Sequence, residues 1–197
     1  MHWASLLIGA GVGAACAAIA LLATSCGTAV RPRTIDASAG WTGPVFPEVS
    51  GDNLNGRAFV MPRDFDGQYN VVMVAFFQRQ QYDVNTWLAD AERLSRDHAN
   101  VEYYELPVIS GAWAPAKAWV DGGMRSGIPD IAQRERTITV FTDTEKFRSL
   151  AGIEGSDRIW TGVMDKEGRV YWSTRGPATP ETLAELRSVV AGLARGQ

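Results

Sequence analysis

Cys16 and Cys26 are the only cysteines in this sequence of 197 residues, and both fall in an apolar N-terminal leader. Residues 27–197 contain no thiol. The thiolate is the reacting species in disulfide exchange and in peroxide reduction, so neither reaction has its usual nucleophile in the main body of the chain. Copper chaperoning, which pairs thiolates with histidine, is excluded by the same composition. Of the two histidines, His2 lies in the leader and His98 reads as a solvated helix-end residue. No metal site and no cofactor is expected. Ser110-Gly111 has no nearby histidine to activate a serine. A glycine-rich phosphate loop ending in Lys-Ser or Lys-Thr is absent.

What remains is polar recognition. Gln78-Arg79-Gln80-Gln81 follows a continuous apolar run, residues 71–77, and opens a helical pattern. Backbone donors and the positive dipole end at a helix N-terminus suit an anion or a partner's carbonyl. Arg79 adds charge-assisted donors. Gln78, Arg79, Gln80 and Gln81, together with Arg158, form the candidate partner-binding group. The plainer alternative is a turn of solvated side chains. Glu105, near the end of a core strand, is a candidate structural acid to be paired with Arg134 or Arg136. Residues 113–125 complete the candidate face. Trp113 and Trp119 read more simply as core than as a binding platform, and Gly122, Gly123 and Gly127 break the segment after a short helix over residues 113–120.

These groups need a scaffold. Residues 54–61 carry a turn signal followed by alternation, which predicts a short hairpin. Residues 71–77 are apolar throughout, as a centre strand covered on both faces must be. Val84, Trp87, Leu88, Ala91 and Leu94 then recur at helical spacing through about residue 99. Residues 101–107 form the next strand, giving a parallel β-α-β unit. A strand follows at 137–142, with a helix capped by Asp143 or Thr144 and stopped near Gly152. Two strands, 159–164 and 169–173, are joined by a tight turn. Thr179-Pro180-Glu181 starts a last helix with Leu183, Leu186, Val190 and Leu193 on one face.

Net charge is −3, with 22 acidic and 19 basic residues interspersed, so no basic stripe points to nucleic acid. Residues 1–30 contain no Lys, Arg, Asp or Glu, and the apolar run of residues 3–23 is close to the roughly 20 residues a membrane helix needs. Leu22-Ala23-Thr24-Ser25-Cys26 resembles a bacterial lipoprotein signal, which implies lipidation at Cys26 and loss of the leader. An uncleaved signal anchor is the alternative. Either tethers the chain to the cell membrane, with the domain on the exported side. The expected organisation is a signal or anchor at 1–26, a tether at 27–46 and one domain at 47–197.

The order of elements resembles a thioredoxin-like three-layer α/β sandwich with a central mixed sheet. Phe77-Gln78-Arg79-Gln80-Gln81, Asn100 through Ile109, Gly127-Ile128-Pro129, Gly162 through Trp172 and Gly176-Pro177-Ala178-Thr179-Pro180-Glu181 together resemble the assembly-factor family that chaperones the membrane sector of mitochondrial ATP synthase, and its bacterial relatives. That resemblance covers roughly residues 46–193 and implies a protein or peptide partner. A looser resemblance is to exported thiol-disulfide oxidoreductases and peroxiredoxins. There the redox turn is Gln78-Arg79-Gln80-Gln81, and the position of their cis-proline falls at about Asp157 or Arg158, or at Pro129 under a different alignment. The sequence thus points to a membrane-tethered, redox-inactive partner-binding or assembly factor. The alternative is an enzyme of the peroxiredoxin or thiol-reductase type working without cysteine through Arg79 and Glu105.

Overall fold

A seven-stranded mixed sheet organises residues 41–195, the residues that the computed structural model describes. Cys26, the leader and the first part of the expected tether lie outside the described residues. The strands are β1 (Val49–Asn53), β2 (Ala58–Met61), β3 (Tyr69–Ala75), β4 (Val101–Ser110), β5 (Ile138–Thr142), β6 (Trp160–Asp165) and β7 (Val170–Arg175), in the order β2-β1-β5-β4-β3-β6-β7. β3, β4 and β5 run parallel. β6 and β7 close one side antiparallel, and the β1–β2 hairpin closes the other.

The apolar run of β3 divides by alternation, because successive side chains point to opposite faces. Val71 and Met73 join Trp87, Ala91, Leu186 and Val190 on one face, under α1 (Gln81–Asp97) and α5 (Pro180–Arg195). Val72 and Val74 join Phe46, Tyr104, Val140, Phe147 and Trp160 on the other, under α4 (Thr144–Ala151). This is the thioredoxin-like three-layer arrangement. The caps follow the sequence. Asp143 accepts from the backbone N–H of Glu145 and Lys146 to start α4, and Gly152, at φ 65°, ends it in the left-handed region.

Three expectations are corrected. The ordered domain begins before residue 47: Phe46 is fully buried, and its N–H donates to the Gly168 carbonyl. The glycines do not break the segment after Trp119. A 3-10 turn, Gly111–Ala116, leads into α2 (Lys117–Gly127), which runs through Gly122 and Gly123. Lys117 holds α2 down by pairing with Asp121 one turn on and with Asp52 of β1 at 3.3 Å. The polar stretch before β5 is helical. Asp130 caps a short helix, α3 (Ile131–Arg136). Trp113 and Trp119 are exposed and not core. Among the described residues, no helix is long and apolar enough to cross a membrane.

Candidate functional site

The C-terminal ends of β3, β4 and β5 define one pole of the sheet. From β3 the chain turns through Phe76 and Phe77 into a 3-10 turn, Gln78–Gln80, and directly into α1. This is where the thioredoxin-like plan puts its reactive turn. The residue that shapes it here is Gln80. Its side chain is buried, its Oε1 accepts from the N–H of Phe76 (2.7 Å) and Phe77 (3.1 Å), and its Nε2 donates to the Ser156 carbonyl (2.8 Å). One amide thus satisfies two orphan donors at the strand end and ties the turn to the loop before β6.

The five candidate binding residues therefore divide. Gln78 and Arg79 are exposed. Gln80 is interior and cannot meet a partner, a correction to its expected role. Gln81 is half-buried, and its Nε2 donates inward to Glu105 Oε2 at 3.0 Å and to Asn85 Oδ1 at 3.1 Å. Arg158 is exposed, with its stem against Gly176 and its Nε 3.9 Å from Asp157. Asp157 is held at 2.8 Å by Arg175, whose guanidinium keeps that carboxyl below the usual carboxylate range. The Gly176 carbonyl accepts from Trp87 Nε1, which fixes the loop after β7 onto α1.

Glu105 lies beneath the turn and is almost fully buried. The expected pairing with Arg134 or Arg136 does not occur. Its partners are two amides, Gln81 Nε2 and Gln133 Nε2, the latter 3.3 Å from Oε1. Arg136 instead pairs with Glu102 at 2.8 Å and lies over the Tyr103 ring. Arg134 donates to the carbonyls of Ile128 and Arg125. α3 supplies both partners, one turn apart: Gln133 reaches Glu105 and Arg136 reaches Glu102. Burial pushes the Glu105 carboxyl above its ordinary range, opposed by the two amide donors. Burial also pushes the neighbouring Tyr103 hydroxyl up to about 12.

Two aromatic residues complete the pole and were not among the candidates. Phe77 is 43% exposed and lies under the Arg79 guanidinium, 4.4 Å from ring centroid to Cζ, while Tyr82 is 75% exposed. The signal for Tyr82 was its place off the α1 apolar stripe. No hydrogen bond or ion pair joins Arg79 to Glu105. Pro129 precedes α3, and among the described residues the one cis peptide is Met61–Pro62, away from this pole.

No family model and no curated protein matches the sequence. Solved structures do match the fold. A thiol:disulfide interchange protein from Bacteroides sp. is 16% identical, with TM-score 0.54, over 80% of this chain and 95% of that one. A putative electron transfer protein from Aquifex aeolicus VF5 is 12% identical, with TM-score 0.52, over 79% and 95%. BsSco, a member of the Sco family of cytochrome c oxidase assembly proteins, is 8% identical, with TM-score 0.51, over 76% and 95%. The class is thus a thioredoxin-like α/β protein. At these identities the likeness is one of fold.

Proposed function

We propose that this chain is a membrane-tethered thioredoxin-like domain that binds a protein or peptide partner and carries out no thiol chemistry of its own. The observation that carries the reading is the turn at 77–81. Where a redox relative places thiols, Gln80 and Gln81 bond inward to Ser156 and Glu105, while Phe77, Arg79 and Tyr82 face solvent. The turn is fixed in one shape and presents side chains suited to recognition. An assembly or chaperone role is consistent with the use of this fold by BsSco, an assembly protein. It also agrees with the resemblance to ATP synthase assembly factors. The tether would be lipidated Cys26 or the apolar leader.

Three experiments test this. A full chain carrying Cys16→Ser and Cys26→Ser is expected neither to reduce insulin disulfides nor to consume hydrogen peroxide. Turnover above a heat-killed control would reject redox inactivity. A photo-crosslinking residue at Gln78, in native membranes, is expected to give one discrete adduct, while the same probe at Arg96 on the far end of α1 gives none. Equal adducts from both positions would reject the assignment of the face. For the tether, mass spectrometry of native protein is expected to show a diacylated N-terminal Cys26, and an intact Met1 leader would reject lipidation.

A further inference from the structure

The chemistry of the partner can be narrowed from the two arginines at this pole; the inference rests on the pole being a partner face. Arg79 is stacked over Phe77 and has no hydrogen bond or ion pair among the described residues. Stacking uses the flat face of a guanidinium and leaves its in-plane donors available for a carboxylate. Arg158 meets Asp157 only at 3.9 Å, between side chains 66% and 70% exposed, and Asp157 is already committed to Arg175. Such an exposed contact holds Arg158 weakly. The two arginines stand on either side of one fixed link. Arg79 adjoins Gln80, Arg158 is two residues from Ser156, and Gln80 Nε2 donates to the Ser156 carbonyl. Exposed apolar surface from Phe77 and Tyr82 lies on the same turn.

We propose that this pole recognises a short acidic segment of a partner protein. Its carboxylates would engage Arg79 and Arg158, with an apolar side chain seated against Phe77 and Tyr82. The charge pattern favours a short segment over a long polyanion. The whole chain is net negative with no basic stripe, so two arginines are complementary to a few carboxylates and not to a phosphate backbone. Glu154 and Asp157 are the exposed acids of the same loop; Asp157 is neutralised by Arg175, and Glu154 opposes such a ligand.

The test uses the full chain in detergent with three fluorescent probes: a peptide alternating Asp, Glu and Leu, its Asn, Gln and Leu counterpart, and oligothymidylate. The acidic peptide is expected to bind at least about tenfold more tightly than the amide peptide, and to weaken as salt rises. Arg79→Ala and Arg158→Ala are each expected to weaken it by about tenfold at unchanged melting temperature, and Glu154→Gln to tighten it. Arg96→Ala is the control and should change nothing. Equal binding of the acidic and amide peptides, or no binding at millimolar concentration, overturns the acidic class. Preferential binding of oligothymidylate overturns it in favour of nucleic acid. If the peptides fail while Arg79→Ala still abolishes the Gln78 crosslink, the partner face stands and its acidic ligand does not. If the crosslink also survives Arg79→Ala and Arg158→Ala, both readings fall.

Discussion

Gln80 does at this turn what its neighbours cannot. Its amide accepts twice and donates once, so its loss strands the N–H groups of Phe76 and Phe77 and frees the 156 loop. Gln80→Ala is expected to cost about 1–3 kcal/mol in chemical denaturation, since buried groups are left unpaired. Gln78→Ala, at an exposed position, should stay within about 0.5 kcal/mol. Equal effects at the two sites would contradict the clasp. Glu105 makes a second prediction, this one in pH. Its folded pKa is raised by burial, so the folded state holds a proton that the unfolded state releases. Its contribution to stability is therefore greatest below the ordinary glutamate range of about 4.3, and falls as pH rises through the raised value. Glu105→Gln removes that titration. Its melting temperature is expected to gain on the parent progressively as pH rises from about 4 toward neutrality. A constant offset at all pH values would show that Glu105 does not titrate in that window.

At the scale of elements, the sequence was most legible where one period ruled the burial. The apolar run inside β3, which begins and ends two residues before the expected 71–77, the α1 stripe and the α5 start were each found, because their burial is decided by the packing of helices on the sheet. Trp87→Ala is expected to cost about 3–5 kcal/mol, enough to unfold a marginal domain, since Trp87 is fully buried against Trp172 and donates to Gly176. The excursion between β4 and β5 was poorly legible for a physical reason. α2 buries Asp121 beside Met124 while Trp119 is exposed, so its apolar residues do not mark its buried face, and α3 is only a turn and a half of mostly polar residues. They are held by long-range polar links, Lys117 to Asp52, Arg125 to the Leu54 carbonyl and Asn55 to Ile131 and Glu135. A methyl group on Gly123 would meet nothing within 4 Å. Gly123→Ala should therefore stabilise the helix by about 0.5–1 kcal/mol. A lower melting temperature would mean that α2 needs the glycine. The site was half legible for the same reason. A turn opening α1 could be read from sequence, but which glutamine faces inward is set by Ser156 and Glu105, 76 and 24 residues away.

Across the whole molecule, the chain entry and the candidate face sit at opposite ends of the sheet. Pro44 and Phe46 bond to the β6–β7 turn through the Val170 N–H and the Gly168 carbonyl, whereas Phe77 and Arg79 leave the far ends of the parallel strands. The proposed tether would join at that entry and leave the proposed partner face at the other end of the sheet. On the proposed reading, the difference from a thiol-bearing turn would be local, a change of side chains on a retained frame. The frame itself can be tested. In a Cys16→Ser, Cys26→Ser chain, Gln78→Cys with Gln81→Cys places thiols at the two ends of one helical turn. A disulfide needs Cα atoms roughly 4.4–6.8 Å apart and converging Cβ vectors, and the 3-10 turn Gln78–Gln80 running straight into α1 is tight enough to supply both. Gln80 is untouched, so its clasp continues to hold the strand end and the 156 loop. Loss of the Gln81 donor leaves Glu105 with Gln133 alone, which should raise its carboxyl further without opening the turn. Mild oxidant is thus expected to close the pair intramolecularly, read as loss of both titratable thiols in a monomer with unchanged circular dichroism. Thiols that persist under oxidant, or that pair only between molecules, would show that the glutamine turn has departed from the shape of a redox turn.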